Sequence, residues 1–289
     1  WRDLVARHGP PRYVSNNQQH AAGFAVIGYG KLGGIELGYG SDLDLVYIHG
    51  SRGQQQLTAG PREVDNQLFF ARLAQRLGHV ISTHTPAGVL YELDIRLRPN
   101  GAKGLPEVSM DGFALYQREE AWTWEHQALV RARFICGDPA LKYEFEAIRA
   151  EILLRKRDGE ALREEVRQMR ERMRNHLGSK QTARFDLKQD RGGIADIEFI
   201  VQYLVLKNAT VLGNYLIYTD NIRLLDGIAE AGILAAEDVA TLANSYRAYR
   251  ARGHALALQD APAELEAQAF TAERTAVGAL WTRIMEYGT

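Results

Sequence analysis

The sequence is poor in the features that would place it in several broad classes. It holds one cysteine, Cys136, in 289 residues, which excludes an internal disulfide framework and a cysteine-built zinc site. No apolar run approaches the ~18 residues of a membrane span, so no membrane partner is expected. Nothing at the start reads as a secretory signal. Charge of either sign is not in excess: 35 Lys and Arg against 36 Asp and Glu leave a formal net charge of −1. That balance gives no global attraction to nucleic acid or to an anionic bilayer. The histidines show no metal-ligand spacing, and neither an internal repeat nor a low-complexity tract is present. What remains is a globular composition, 46% apolar and 25% charged, with a cytoplasmic location expected. The chain opens at Trp1 without an initiator methionine, as expected of a piece of something longer.

The length suits one large or two ordinary domains, and the patterning changes near Gly137-Asp138-Pro139. Residues 1–138 mix strand and helix signals and are expected to form a catalytic domain; residues 139–289 are expected to form a helical bundle. Phe24–Ile27 and Leu43–Ile48 are short apolar runs bounded by glycine-rich turns, the pattern of buried strands. Tyr91–Arg98 alternates, with Tyr91, Leu93, Ile95 and Leu97 on one face and Glu92, Asp94, Arg96 and Arg98 on the other. Phe69, Leu73, Leu77 and Val80 recur at helical spacing. In the second half, Leu162, Val166, Met169, Met173 and Leu177 make one helical stripe. Ile197, Ile200, Val201, Leu204 and Val205 make another, as do Val277, Leu280, Trp281 and Ile284. A break from Gly178 to Gly193 contains the short Phe185–Lys188 segment. Arg155 to Arg191 carries 12 Lys and Arg against 7 Asp and Glu, a bias read as solvated helix faces.

The chemistry concentrates near the start. An apolar run, Phe24–Ile27, enters Gly28-Tyr29-Gly30-Lys31-Leu32-Gly33-Gly34, and Ser41-Asp42-Leu43-Asp44-Leu45 follows. Asp42 and Asp44, two apart on a strand, project to one face, and Asp94 on a neighbouring strand can complete a set. Magnesium takes oxygen ligands from carboxylates and substrate phosphates, and two ions so held act on in-line displacement at phosphorus. Asp44 lies among Leu43, Leu45 and Val46, where an unpaired charge is costly, so a metal or basic partner is expected. The segment Gly28–Gly33 also spells the dinucleotide-binding G-x-G-x-x-G. That motif wants an acid about 20 residues on; here the region is Tyr47-Ile48-His49, and a dehydrogenase is set aside. No G-K-[ST] Walker loop occurs. Gly33 and Gly34 are expected to bring backbone N–H groups to a triphosphate at the start of a short helix, with Lys31 adding charge or facing solvent. Arg96 and Arg98 either clamp phosphates or neutralise the acidic cleft, and Pro99–Gly104 is a substrate-covering loop or a plain turn. Asp196 and Glu198 either cap the Ile197 helix, or close over the nucleotide cleft or reach arginines of the first domain. His79 and His84 flank a helix end, and His126 is packed.

With these residues placed, the chain resembles the nucleotidyltransferase superfamily in the order and spacing of Gly33-Gly34, Asp42, Asp44 and Asp94. More closely, it is similar to the glutamine synthetase adenylyltransferase family. The likeness is carried by Gly28–Leu37, Ser41–Leu45, Tyr91–Pro99, Trp124–Leu129 with Arg131-Ala132-Arg133, Gly192–Phe199, Asp220–Arg223 and Phe270–Arg274. The resemblance implies an α+β polymerase-β-like nucleotidyltransferase domain, a mixed sheet with flanking helices, followed by an all-α bundle. It implies the C-terminal, adenylylating half of that family, transferring AMP from ATP to a tyrosine of glutamine synthetase. Asp42, Asp44 and Asp94 would be catalytic and hold Mg²⁺; Gly33, Gly34, Lys31, Ser41, Arg96 and Arg98 would bind the nucleotide. Glutamine synthetase and the PII signal protein are the implied partners, PII partly through segments outside this chain. Nucleotide addition to RNA, or a binding module that senses nucleotide or PII, are the rival readings; the former expects a basic groove with stacking aromatics.

Overall fold

The computed structural model describes residues 1–178 and 183–288. They form two compact units, residues 1–37, 41–121 and 131–152 in one and 38–40, 122–130 and 153–289 in the other. The main break thus follows Ile152, where the sequence pattern places it at 138. The strand just before 138 is paired into the first unit's sheet, which draws the next helix with it.

In chain order the first unit opens with α1 (Arg2–His8), β1 (Pro11–Ser15), β2 (Gln18–Ala21) and β3 (Phe24–Gly28). A one-turn helix α2 (Gly30–Gly33), β4 (Leu43–His49), β5 (Gln54–Thr58) and α3 (Asn66–Ser82) follow. Then come β6 (His84–Thr85), β7 (Gly88–Val89), β8 (Leu93–Asp94), β9 (Glu107–Ser109) and α4 (Met110–Glu119). Helix α5 (Thr123–Val130) belongs to the second unit, and β10 (Arg133–Gly137) with α6 (Pro139–Leu153) returns to the first.

Strand β4 is the axis of the first unit. Its β-branched and aromatic run favours a strand, and every residue but Asp44 is buried, as expected of a strand covered on both faces. β3 pairs with it antiparallel on one edge, and β10 pairs antiparallel with β3. The other edge of β4 takes β8 and then β9, both parallel, so residues 95–106 interrupt what would be one continuous strand. Only Leu93–Asp94 of the expected Tyr91–Arg98 strand pairs; Arg96 and Leu97 lie in a turn, and alternation ends there. β1, β2 and β5 form a separate antiparallel sheet.

Helix α3 starts at Asp65, whose carboxylate accepts the Gln67 N–H at 2.7 Å. Its Phe69, Phe70 and Leu73 pack with Leu4 of α1, and its Ala74 packs beneath Leu43, Leu45 and Tyr47. Ile81 continues this stripe; Val80 does not, being 73% exposed.

The second unit contains α7 (Gly159–Leu177), β11 (Arg184–Asp186), α8 (Ile194–Leu212), α9 (Asn221–Glu230), α10 (Ala236–Leu258), β12 (Glu264–Glu266) and α11 (Thr271–Trp281). Its chain ends in a π-helical turn, Thr282–Tyr287. Helix α8 is central: Ile197, Ile200, Val201, Leu204 and Val205 are buried, and α5, α7, α9, α10 and α11 all touch it. The bundle is not all-α. β11 pairs antiparallel with β12, because Phe185 and Leu265 both turn inward and leave their backbones to bond each other. Part of the expected break, residues 179–182, lies outside the described residues. On α7 the buried stripe is Leu162, Val166 and Arg170; Met169 and Met173 are half-buried and Leu177 is exposed.

The burial of Arg170 has a definite cause. Asp196, fully buried in the first turn of α8, accepts Arg170 Nε at 2.7 Å, Arg174 Nη2 at 2.9 Å and the Gly192 N–H at 2.7 Å. Its arginine partners come from α7 in the same unit, not from the first domain. Asp196→Ala would leave the Arg170 guanidinium without its carboxylate in the core, and an expected loss of about 3–5 kcal/mol follows. Urea unfolding checks this; a loss below about 1 kcal/mol would assign the pair no structural weight.

Candidate active site

The three acids meet at the start of β4. Asp44 and Asp94 are direct neighbours in the parallel β4–β8 register, and Asp42 shares their face by strand alternation. Each carboxylate offers one oxygen, and these oxygens lie within 4.8 Å of one another. Three hard oxygen donors at this spacing match a divalent cation such as magnesium. Asp44 and Asp94 are half-buried. Asp94 accepts the Arg96 N–H at 2.8 Å and ion-pairs with the Arg96 guanidinium. That hydrogen bonding, foremost from the side chain, holds the Asp94 carboxyl below the usual carboxylate range. Arg96 is itself pushed up, by Asp94 first and by the fields of Asp44 and Asp42 as well.

Other expected site residues are placed differently. Gly33 and Gly34 end α2 rather than begin it: their N–H groups donate to Tyr29 O at 2.8 Å and Gly30 O at 3.0 Å. Used inside the turn, those N–H groups do not point to a phosphate. Gly33 is needed for packing, since a methyl group there would overlap the Arg131 carbonyl. Lys31, in the middle of α2, is half-buried, and Ser41 is buried just before Asp42. Arg98 is buried, and its guanidinium is spent on backbone: Nε donates to Leu105 O at 2.6 Å, Nη2 to Gly104 O at 3.2 Å, and Nη1 to Ile95 O. It braces the loop between β8 and β9 instead of clamping phosphate.

A family model for glutamate–ammonia ligase adenylyltransferase matches residues 1–148, just over half the chain. The chain belongs to that family. A model for GlnD PII-uridylyltransferase matches residues 160–265. The chain is 54% identical over 286 residues to a bifunctional glutamine synthetase adenylyltransferase/adenylyl-removing enzyme of Nitrosococcus oceani, covering 99% of this chain and 30% of the relative. With the corresponding enzyme of Thioalkalivibrio sulfidiphilus it shares 52% identity over 285 residues, 99% of this chain and 29% of the relative. The chain thus spans under a third of the length of these curated relatives. Among the described residues, no helix is long and apolar enough to cross a membrane.

Sequence reasoning missed two supports of the site. Gly30 has a φ of 52° and lies against Asp44, whose carboxylate occupies the space of a side chain at 30. Arg133 donates to Leu32 O at 2.9 Å and Gly33 O at 3.1 Å, holding the end of α2. The motif Arg131-Ala132-Arg133 was the available signal for the second; nothing local distinguishes Gly30 from its neighbours.

Two outcomes are expected. Gly30→Ala meets both an unfavourable φ and the Asp44 carboxylate, so it should destabilise by about 1–3 kcal/mol. Gly40→Ala, with φ 66° but open space around it, should cost less in the same urea titration. Glu107 is buried on β9, and burial pushes its carboxyl from 4.5 up to about 7. A raised carboxyl keeps its proton in the folded chain after the unfolded chain has lost it. Stability should therefore fall as pH rises from about 4.5 to about 7, and Glu107→Gln should flatten that part of the profile. An unchanged slope in the variant would remove Glu107 as the cause.

Proposed function

We propose that the chain transfers AMP from ATP to a tyrosine hydroxyl of glutamine synthetase, with pyrophosphate leaving, from a polymerase-β-type first unit. One observation carries this reading: the oxygens of Asp42, Asp44 and Asp94 converge within 4.8 Å. The names of the relatives support the acceptor and the group transferred.

Asp42, Asp44 and Asp94 would hold Mg²⁺, which when bound lowers the pKa of the attacking hydroxyl and offsets charge on the leaving pyrophosphate. Phenol has a pKa near ~10, so its proton needs an acceptor at the moment of attack. Asp94 is kept ionised by Arg96, the form required both of a metal ligand and of a base. The exposed Arg96 guanidinium, paired with Asp94, would supply positive charge for the phosphates, and Lys31 of α2 would add to it. Ser41, buried just before Asp42, would bind the nucleotide, and Arg98 shapes the loop that starts at Asp94. The match of residues 160–265 to a PII-uridylyltransferase model makes the PII signal protein our proposed regulatory partner.

The test is incubation of the chain with ATP, Mg²⁺ and glutamine synthetase, with the product weighed by mass spectrometry. AMP should appear on a tyrosine. Asp42→Asn or Asp44→Asn should lower transfer about a thousandfold, the loss of roughly 4 kcal/mol of transition-state stabilisation, with the melting temperature not lowered. Near-normal transfer by either variant, ATP binding without transfer, or labelling of added RNA instead would overturn the reading. Removal of AMP from modified glutamine synthetase by phosphate, without the forward transfer, would assign the opposite direction.

A further inference from the structure

A cavity of about 570 Å³ lies between α1 and α3 in the first unit. Its polar walls follow two helical periods: Arg7 and His8 from α1, and Arg72, Gln75, Arg76 and His79 from α3. The α3 residues fall at i, i+3, i+4 and i+7, one side of the helix. Three guanidinium and two imidazole groups therefore face one space, and no carboxylate lines it. Among the described residues Arg7, Arg72 and Arg76 have no ion-pair partner. Other arginines of this unit do, such as Arg52 with Glu144 at 2.7 Å and Arg118 with Glu151 at 2.7 Å.

Favourable charge at helix ends accounts for Arg7, His8 and His79, which lie in last turns. It does not account for Arg72, which is mid-helix and half-buried. Arg72 is aimed by His8, a residue only 6% exposed. His8 Nδ1 faces the Arg62 carbonyl at 2.8 Å and so carries the proton. Nε2 is left as an acceptor, 3.4 Å from Arg72 Nη1. Leu4, packed with Phe69, Phe70 and Leu73, fixes α1 on α3, so the concavity is formed before any ligand arrives.

We propose that this cavity binds a di- or triphosphate group at a site separate from the three carboxylates. Planar guanidinium groups match phosphate oxygens in pairs, and the volume falls within the ~300–1,000 Å³ of small-molecule sites. The side of α3 that meets β4 is the Ala74 side, and the cations lie on the side turned away from it. Phosphate would bind here against protein cations alone. This inference is independent of the AMP-transfer reading.

Calorimetric titration of the 289-residue chain in EDTA tests it, because chelation leaves the carboxylates without the divalent ion that a phosphate there requires. The titrants are tripolyphosphate, ATP, adenosine and hexaglutamate. Tripolyphosphate should bind, and Arg72→Gln with Arg76→Gln should weaken it about tenfold or more; Asp42→Asn with Asp94→Asn should leave it unchanged. ATP matching tripolyphosphate supports a nucleotide's phosphate tail as the ligand, and weaker ATP supports free polyphosphate. Arg72 touches His8, so Arg7→Gln and Arg76→Gln, both at exposed positions, are measured singly as well. Each should weaken binding about threefold at an unchanged melting temperature. No heat from tripolyphosphate, equal affinity in the arginine variants, loss of binding in the aspartate variants, or hexaglutamate binding as tightly as tripolyphosphate would each overturn the proposal.

Discussion

Three carboxylates with oxygens inside 4.8 Å repel one another, and the first unit is organised around holding them there. At that spacing each pair costs between about 1 kcal/mol in a water-like medium and about 3 kcal/mol at an effective dielectric near 20. Whole domains are stable by only about 5–15 kcal/mol, so the arrangement needs backbone that cannot relax. The parallel register of β4 and β8 fixes Asp44 beside Asp94. Gly30 gives the Asp44 carboxylate its room, and Arg133 pins the turn that contains Gly30. Arg98 closes the loop after Asp94 on three carbonyls, so that strand cannot drift from its partner.

The second unit uses the same side chain in the opposite way. Asp196 is more deeply buried than any of the three, yet two guanidinium groups and a backbone N–H satisfy it. A carboxylate so matched has no charge left to offer a ligand; it orders the start of α8 and draws Arg170 into the core. Crowding by like charge, not burial alone, is what separates the acids suited to chemistry from the acid suited to architecture.

Period and motif made much of this legible. β3 and β4 follow from apolar runs between glycine turns, and the acidic set follows from the two-residue spacing of Asp42 and Asp44 at the start of β4 and from Asp94 on the neighbouring strand β8. Where the reading of residues went astray, a hydrogen-bonding partner that the local pattern does not reveal decided the outcome. Arg98 alternates correctly with Asp94, but carbonyls seven and six residues on capture it. Met169 and Met173 have the right spacing for a core stripe, but Arg170 takes the buried position because Asp196 lies 26 residues away. Gly33 and Gly34 belong to the motif, yet their N–H groups close a one-turn helix, a choice made by the carbonyls of Tyr29 and Gly30. The β11–β12 ladder joins segments some 80 residues apart, beyond the reach of any local pattern.

Helix α3 gives the first unit two polarities. It contributes no residue to the carboxylate cluster, but its Ala74 side supports the strand that does. Its other side gathers guanidinium groups at helical spacing without a counter-ion among the described residues. At the cluster Arg96 is the cation paired with the acids, and bound metal ions would offset the remaining negative charge, whereas phosphate beside α1 would meet protein cations directly. In the two proposed readings the same ligand would be held by different physics: divalent ions at the carboxylates, and protein cations screened by salt beside α1. A single helix packed between them keeps the opposite fields apart, because its apolar side lies between the arginines and the strand that carries the acids.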